Sequence, residues 1–191
     1  MRRRENRAFL FACLFLAFTK TPATSQTSDP FAALNRPATV AIMRHALAPG
    51  TSDPSGFQLR DCTTQRNLDA RGRAQARAIG AAIRAAGVRI DRVLSSQWCR
   101  CLETAELLGL GPVDEAPMLN SFFEDRSTAE AQTAELRAYL QTLPPDQTVL
   151  LVTHQVNITA LTDRGVGSGE VFVIASGEDA GAVMDEILIA P

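Results

Sequence analysis

Short apolar runs, each followed by a polar or helical stretch, constrain this chain most. Thr39-Val40-Ala41-Ile42-Met43 is mostly apolar and β-branched, and it reads as a buried strand. Ile90 to Ser95 and Val149-Leu150-Leu151-Val152 read the same way. Between them lie helical patterns. Asp69 is placed to cap a helix running to about Ala86, with Ala76, Ile79, Ile83 and Ala86 on one face and Arg73, Arg77 and Arg84 on the other. Gln97 to Leu108 gives a second helix, closed by Gly109 and Pro112. Thr128 to Leu143 gives a third, with Leu136, Leu140 and Leu143 on one face and Pro144-Pro145 as its stop. Val171 to Ala175 and Met184 to Ala190 read as two more strands. This alternation predicts an α/β fold: a three-layer sandwich with a mostly parallel central sheet and helices on both faces.

The 191 residues suit one domain, and a hydrophobic share of 46% is enough to build a core. The formal net charge of −2 is unevenly spread. Five of the 19 basic residues and one of the 21 acidic residues lie within residues 1–25, which leaves 14 against 20, a net of −6. A remainder that acidic is a poor nucleic-acid binder, because such binding draws its affinity from clustered Lys and Arg. No nucleic-acid partner is expected.

Residues 1–25 read as a secretory signal peptide. A basic stretch from Met1 to Arg7 precedes the apolar run Ala8 to Phe18, whose 11 residues fall short of the ~20 needed to span a bilayer as helix. Ala23 and Ser25 supply small residues for cleavage after Ser25. The expectation is a periplasmic or secreted protein with no stable membrane insertion after cleavage. Gln26 to Arg36 reads as a polar linker, and residues 37–191 as the domain. After cleavage Cys62, Cys99 and Cys101 remain. An oxidising compartment favours one disulfide, Cys62 with Cys99 or Cys101, and one thiol left over.

Ligand sites of parallel sheets lie just beyond the strand carboxyl ends. His45 and His154, the only two histidines, each follow a strand by two residues. Arg44 adjoins His45, and Arg100 opens a helix just past the second strand. Two arginines offer forked donors that match phosphate oxygens. A neutral imidazole is a competent nucleophile or base at neutral pH. A second imidazole adds a donor where charge develops. Together these groups suit attack on phosphorus. Two His plus a carboxylate could also hold zinc, but two adjacent arginines repel a dication.

Four motifs resemble those of the histidine phosphatase superfamily, also called phosphoglycerate mutase-like. Met43-Arg44-His45-Ala46 resembles its Arg-His-Gly signature, with Ala46 in place of the usual Gly. Leu68 to Ala76 resembles its helix start with a Gly and a Gln-Ala pair. Leu94 to Ala105 resembles its Ser-rich strand end, second arginine and Thr-Ala helix, and Val152-Thr153-His154 its second histidine motif. The resemblance spans about Pro37 to Val173 and extends to the small exported bacterial branch. It implies that His45 is the nucleophile that becomes phosphohistidine. Arg44, Arg100 and His154 would hold the phosphoryl oxygens, and no metal or organic cofactor would be needed. A general acid follows a Leu-Asn pair in the mutase-like branch. Here Leu119-Asn120 is followed by Ser121, so Glu124, Asp125 or no dedicated acid are the options. The implied function is a phosphomonoester hydrolase acting on a small extracytoplasmic phosphate, with an envelope sugar phosphate as one candidate. The alternatives are a protein-phosphohistidine phosphatase and a phosphate-binding module without turnover.

Overall fold

The computed structural model describes residues 31–189. The expected signal peptide and residues 26–30 of the expected linker lie outside them. Six strands form one sheet: β1 (Thr39–Arg44), β2 (Arg92–Ser95), β3 (Val113–Glu115), β4 (Val149–Thr153), β5 (Val171–Ala175) and β6 (Val183–Ile187). Four helices connect them: α1 (Ala70–Ala85), α2 (Cys99–Leu108), α3 (Ala129–Thr142) and α4 (Gln155–Thr162). The strand order is β3-β2-β4-β1-β5-β6. Neighbours from β3 to β1 pair in parallel, whereas β5 runs antiparallel to both β1 and β6. The sheet is therefore mixed, with three parallel and two antiparallel pairings. The short connection from β5 to β6 allows antiparallel pairing without a crossover helix.

Alternate residues of each strand enter different cores, as a period of two requires. Ala41, Met43, Leu150 and Val152 pack with Ile79 and Ile83 of α1 and Cys101, Ala105 and Leu108 of α2. Val40, Ile42, Val149 and Leu151 pack with Leu136 and Leu140 of α3 and Ile158 and Leu161 of α4. The helix boundaries follow local chemistry. Asp69 caps α1 by accepting from the Gly72 N–H at 2.7 Å. Gly109 ends α2 with φ of 61°, the left-handed turn that glycine favours.

Two glycines inside α1 permit close approach. A Cβ at Gly80 would lie 1.9 Å from the Leu108 carbonyl oxygen, and one at Gly72 would lie 2.0 Å from that of Leu47. Glycine at mid-helix costs about 1 kcal/mol relative to alanine. Here it lets α1 seat against α2 and against the chain just past His45.

Three features differ from the sequence reading. Residues 31–36 are not a polar linker: Ala32–Asn35 forms a 3-10 turn, and Phe31, Ala33 and Leu34 are buried in the core. The domain thus begins before residue 37, because three apolar side chains outweigh the polar neighbours that suggested a linker. β3 and α4 are additional elements. The three residues of β3 are all at least partly exposed, so it carries no apolar run.

Candidate active site

The carboxyl ends of β2, β4 and β1 lie side by side, since these strands are consecutive in the sheet. β1 ends at Arg44, so His45 is the first residue beyond it. Two backbone bonds extend the ladder past the strands, from the His45 N–H to the Thr153 carbonyl and from the Ser96 N–H to the Val152 carbonyl, each 2.9 Å. His154 is the residue before α4, and Arg100 sits in the first turn of α2. The topology therefore joins residues 44, 45, 100 and 154 at one edge.

The hydrogen bonds fix the protons on both rings. His45 Nδ1 lies 2.7 Å from the Ala46 carbonyl oxygen, which only accepts, so Nδ1 carries the hydrogen. Nε2 is left with its lone pair, facing Arg100 Nε at 3.3 Å. Arg100 Nη2 lies 3.3 Å from His154 Nδ1, and a guanidinium only donates, so His154 carries its hydrogen on Nε2. That Nε2–H donates to Ser96 Oγ at 2.8 Å, and Ser96 Oγ donates onward to Asn120 Oδ1 at 3.3 Å. Burial, followed by the charge on Arg100, pushes both imidazoles well below the usual histidine range. Both rings are neutral at pH 7, and their centroids are 5.5 Å apart.

The sequence motifs hold this geometry in place. Gly72 admits the Leu47 carbonyl, while Gln75 Oε1 accepts from the Leu47 N–H at 3.0 Å. Gln75 Nε2 donates to the Ser168 carbonyl at 2.8 Å, which ties two loops to α1. Thr104 Oγ1 accepts from the Ala46 N–H at 3.1 Å and donates to the Arg100 carbonyl at 2.6 Å, linking the residue after His45 to Arg100.

A cavity of about 610 Å³ opens above these groups. Arg44, His45, Arg66, Arg100 and His154 all line it. Arg66 and Asp53 are site residues that the sequence reading missed. Both lie in the irregular stretch between β1 and α1, where no periodicity marks a position. An acidic residue in a Gly/Pro/Ser loop between two arginine-bearing motifs was the only available signal. Arg44 donates to the Val166 carbonyl at 3.2 Å, and Arg66 donates to the Ala48 carbonyl. Each also has a buried Nε–H without an acceptor, a donor that an oxyanion would satisfy. Burial lowers the pKa of Arg66 to about 10, with Arg100 adding to the shift, and Arg66 remains a cation at neutral pH.

Asp53 accepts from Arg100 Nη1 at 2.8 and 3.1 Å, from the Arg66 backbone N–H at 3.0 Å and from Trp98 Nε1 at 3.1 Å. Burial works to raise its pKa, but the Arg66 N–H and the Arg100 charge outweigh this and hold the carboxyl below its usual value. Phe57 stacks on Trp98 at 5.0 Å, and Phe123 is 46% exposed at the rim. Glu124 and Asp125 also line the cavity. Asp125 accepts from the Ser127 hydroxyl and N–H at 2.6 and 3.0 Å, which lower its pKa and occupy the carboxylate. Both of those bonds fall on Asp125 Oδ1, and Glu124 and Asp125 stand together on the rim. Among the described residues no cluster of three or more His, Cys, Asp or Glu is arranged to hold a metal.

Cys62 and Cys99 form a disulfide, and Cys101 is free and buried. The bond fastens the stretch that carries Asp53, Phe57 and Arg66 to the first residue of α2. Gln65 Oε1 adds a bond from the Cys99 N–H at 2.9 Å. Cys101 Sγ lies 3.4 Å from His154 Nε2, but burial pushes its pKa up to about 12, so it stays an unreactive thiol.

Fold and site define an α/β protein with two neutral imidazoles and three guanidiniums around one cavity. The model of the histidine phosphatase superfamily (branch 1) matches residues 40–121. Among solved structures, the chain is similar to the protein histidine phosphatase SixA complexed with tungstate, with a TM-score of 0.53, 19% identity, and coverage of 77% of this chain and 93% of that one. It is also similar to YhfR of Bacillus stearothermophilus, with a TM-score of 0.55, 18% identity, and coverage of 77% and 94%. A third similar structure is the mycobacterial glucosyl-3-phosphoglycerate phosphatase complexed with VO3, with a TM-score of 0.54, 17% identity, and coverage of 72% and 92%. No curated protein matches. Residues 40–121 thus resemble the histidine phosphatase superfamily, and the solved structures share the fold.

Proposed function

We propose that the protein is a phosphomonoester hydrolase in which His45 Nε2 attacks phosphorus. The observation that carries this reading is the fixed tautomer: the Ala46 carbonyl holds the proton on Nδ1, so a buried lone pair faces a floor of three guanidiniums. Nε2 forms the bond to phosphorus as the bond to the leaving oxygen breaks. Arg44, Arg66 and Arg100 surround the equatorial oxygens, where charge is held in the transition state, and the second imidazole joins them as a donor once the bound dianion draws a proton onto its Nδ1. Glu124, which lines the cavity, is the carboxylate we assign as general acid for the leaving oxygen. Water then takes the phosphoryl group from His45 and releases inorganic phosphate. The names of two structural neighbours, a protein histidine phosphatase and a sugar-phosphoglycerate phosphatase, support phosphatase chemistry on this fold.

The substrate we propose is a small phosphate ester met outside the cytoplasm. The basic-then-apolar start of the sequence supports export, and the Cys62–Cys99 disulfide supports an oxidising compartment. The test is turnover of p-nitrophenyl phosphate together with an acid-labile phosphoryl label on the protein. Both should vanish in His45→Asn, with rates falling at least ~10⁴-fold, as when a covalent nucleophile is removed. EDTA should leave the rate unchanged. A rate that depends on added metal would reject the cofactor-free route.

A further inference from the structure

We propose that Asp53 is the positioning residue that aims Arg100 at the space between the two imidazoles. The inference rests on the hydrolase reading and adds a residue to it. A guanidinium is a planar fork that can turn its donors in several directions. In this site the donor groups divide. Nη1 is held by both carboxylate oxygens of Asp53, at 2.8 and 3.1 Å, with the Arg66 carbonyl farther off at 3.5 Å. The remaining groups, Nε and Nη2, point at His45 Nε2 and His154 Nδ1, each at 3.3 Å. Those two acceptors flank the place that phosphoryl oxygens occupy during attack by His45. Asp53 thus takes the group not needed for substrate and turns the other two toward the chemistry. It also spares Arg100 the ordering of a long side chain when ligand arrives.

A carboxylate suits this task. Its two oxygens receive Arg100 Nη1, the Arg66 N–H and Trp98 Nε1, all of which only donate. Asparagine would put an NH₂ where one of those donors points. Asp53 is itself anchored, because its loop is fastened to α2 through Cys62–Cys99 and through Gln65. The arginine and the carboxylate that aims it therefore share one mounting.

The test is a double-mutant cycle on vanadate binding, measured by titration calorimetry on the oxidised chain. Four proteins are compared: parent, Asp53→Ala, Arg100→Ala and the double variant. Asp53→Ala should weaken vanadate binding about tenfold in the parent and less than about twofold when Arg100 is already absent. Asp53→Asn should fall between parent and Asp53→Ala, and it serves as the variant if alanine does not fold. The direction is informative. Removing a negative charge beside the cradle would by itself tighten anion binding, so tighter binding overturns the proposal. Equal weakening in both backgrounds also overturns it, since that is the mark of a loop that merely supports the fold. The cycle needs no turnover. A parent that binds vanadate but does not hydrolyse esters defeats the hydrolase reading alone, whereas a parent that binds no vanadate defeats both.

Discussion

On the cavity floor, His45, Arg100 and His154 are 2%, 3% and 4% exposed, and all four ring nitrogens have partners. On the rim, Phe123 and Glu124 stand in solvent, and Asp125 bonds only within its own turn. The floor is set by strands, helix starts and several hydrogen bonds per side chain. This part of the rim is the segment after Asn120, held through the Asn120 side chain and backbone. On the proposed reading, the groups that would handle phosphorus are fixed by several bonds each, while those that would meet the rest of a substrate are held less. The reaction and the choice of leaving group would then belong to separate parts of the sequence.

Four measurements break or sharpen that contrast. Removing a floor group should cost most: His154→Ala, which takes away the acceptor that holds Arg100 Nη2, should lower kcat/KM by ~10²–10³-fold for every phosphate ester, whatever its alcohol. Loss confined to some substrates would show that the floor also selects. A smaller and more selective effect is expected at the rim. Glu124→Gln should lower turnover of alkyl phosphates by ~10²-fold while p-nitrophenyl phosphate, whose leaving group needs no proton, changes less than about threefold. Equal losses on both substrates would remove Glu124 from the role of acid. Phe123→Ala should raise KM for aryl phosphates about threefold, by loss of apolar contact, with kcat unchanged.

The smallest effect is on stability. The folded state keeps both imidazoles neutral, with pKa values well below 6.5, whereas the unfolded chain takes up protons near 6.5. The unfolded state then binds more protons as pH falls below 6.5, so the melting temperature should drop by a few degrees between pH 7 and 5.5. His154→Asn should flatten that slope. A flat slope in the parent would mean that the rings are not held neutral.

The floor was legible in the sequence because chemistry and topology coincide there. His45 and His154 sit two residues past apolar runs, and Arg100 just past a third, so a rule about strand ends located all of them. The Gly72, Gln75 and Thr104 motifs also proved to be fasteners of that floor. Asp53 and Arg66 escaped because irregular backbone has no period from which to place a side chain. Their partners, Trp98 and Arg100, lie more than thirty residues away. The pairing of Cys62 was narrowed to two candidates, and the helix geometry decided it. Cys101 points into the core beneath His154, and Cys99 faces the loop. The short β3 has a single apolar residue, Val113, too few to show a pattern. Residues 31–36 hid three core residues just before Asn35 and Arg36.

The bond between Cys62 and Cys99 joins the loop to the residue immediately before Arg100. Neither cysteine belongs to the sheet, whose strands close around Val149–Thr153 with all five residues buried. Closing that bond consumes an oxidant and fastens the loop that carries Asp53 and Arg66, not the strands of the sheet. Batches purified from reducing and oxidising hosts would share a circular dichroism spectrum and differ in the fraction of competent molecules. Specific activity becomes a record of how each batch was made.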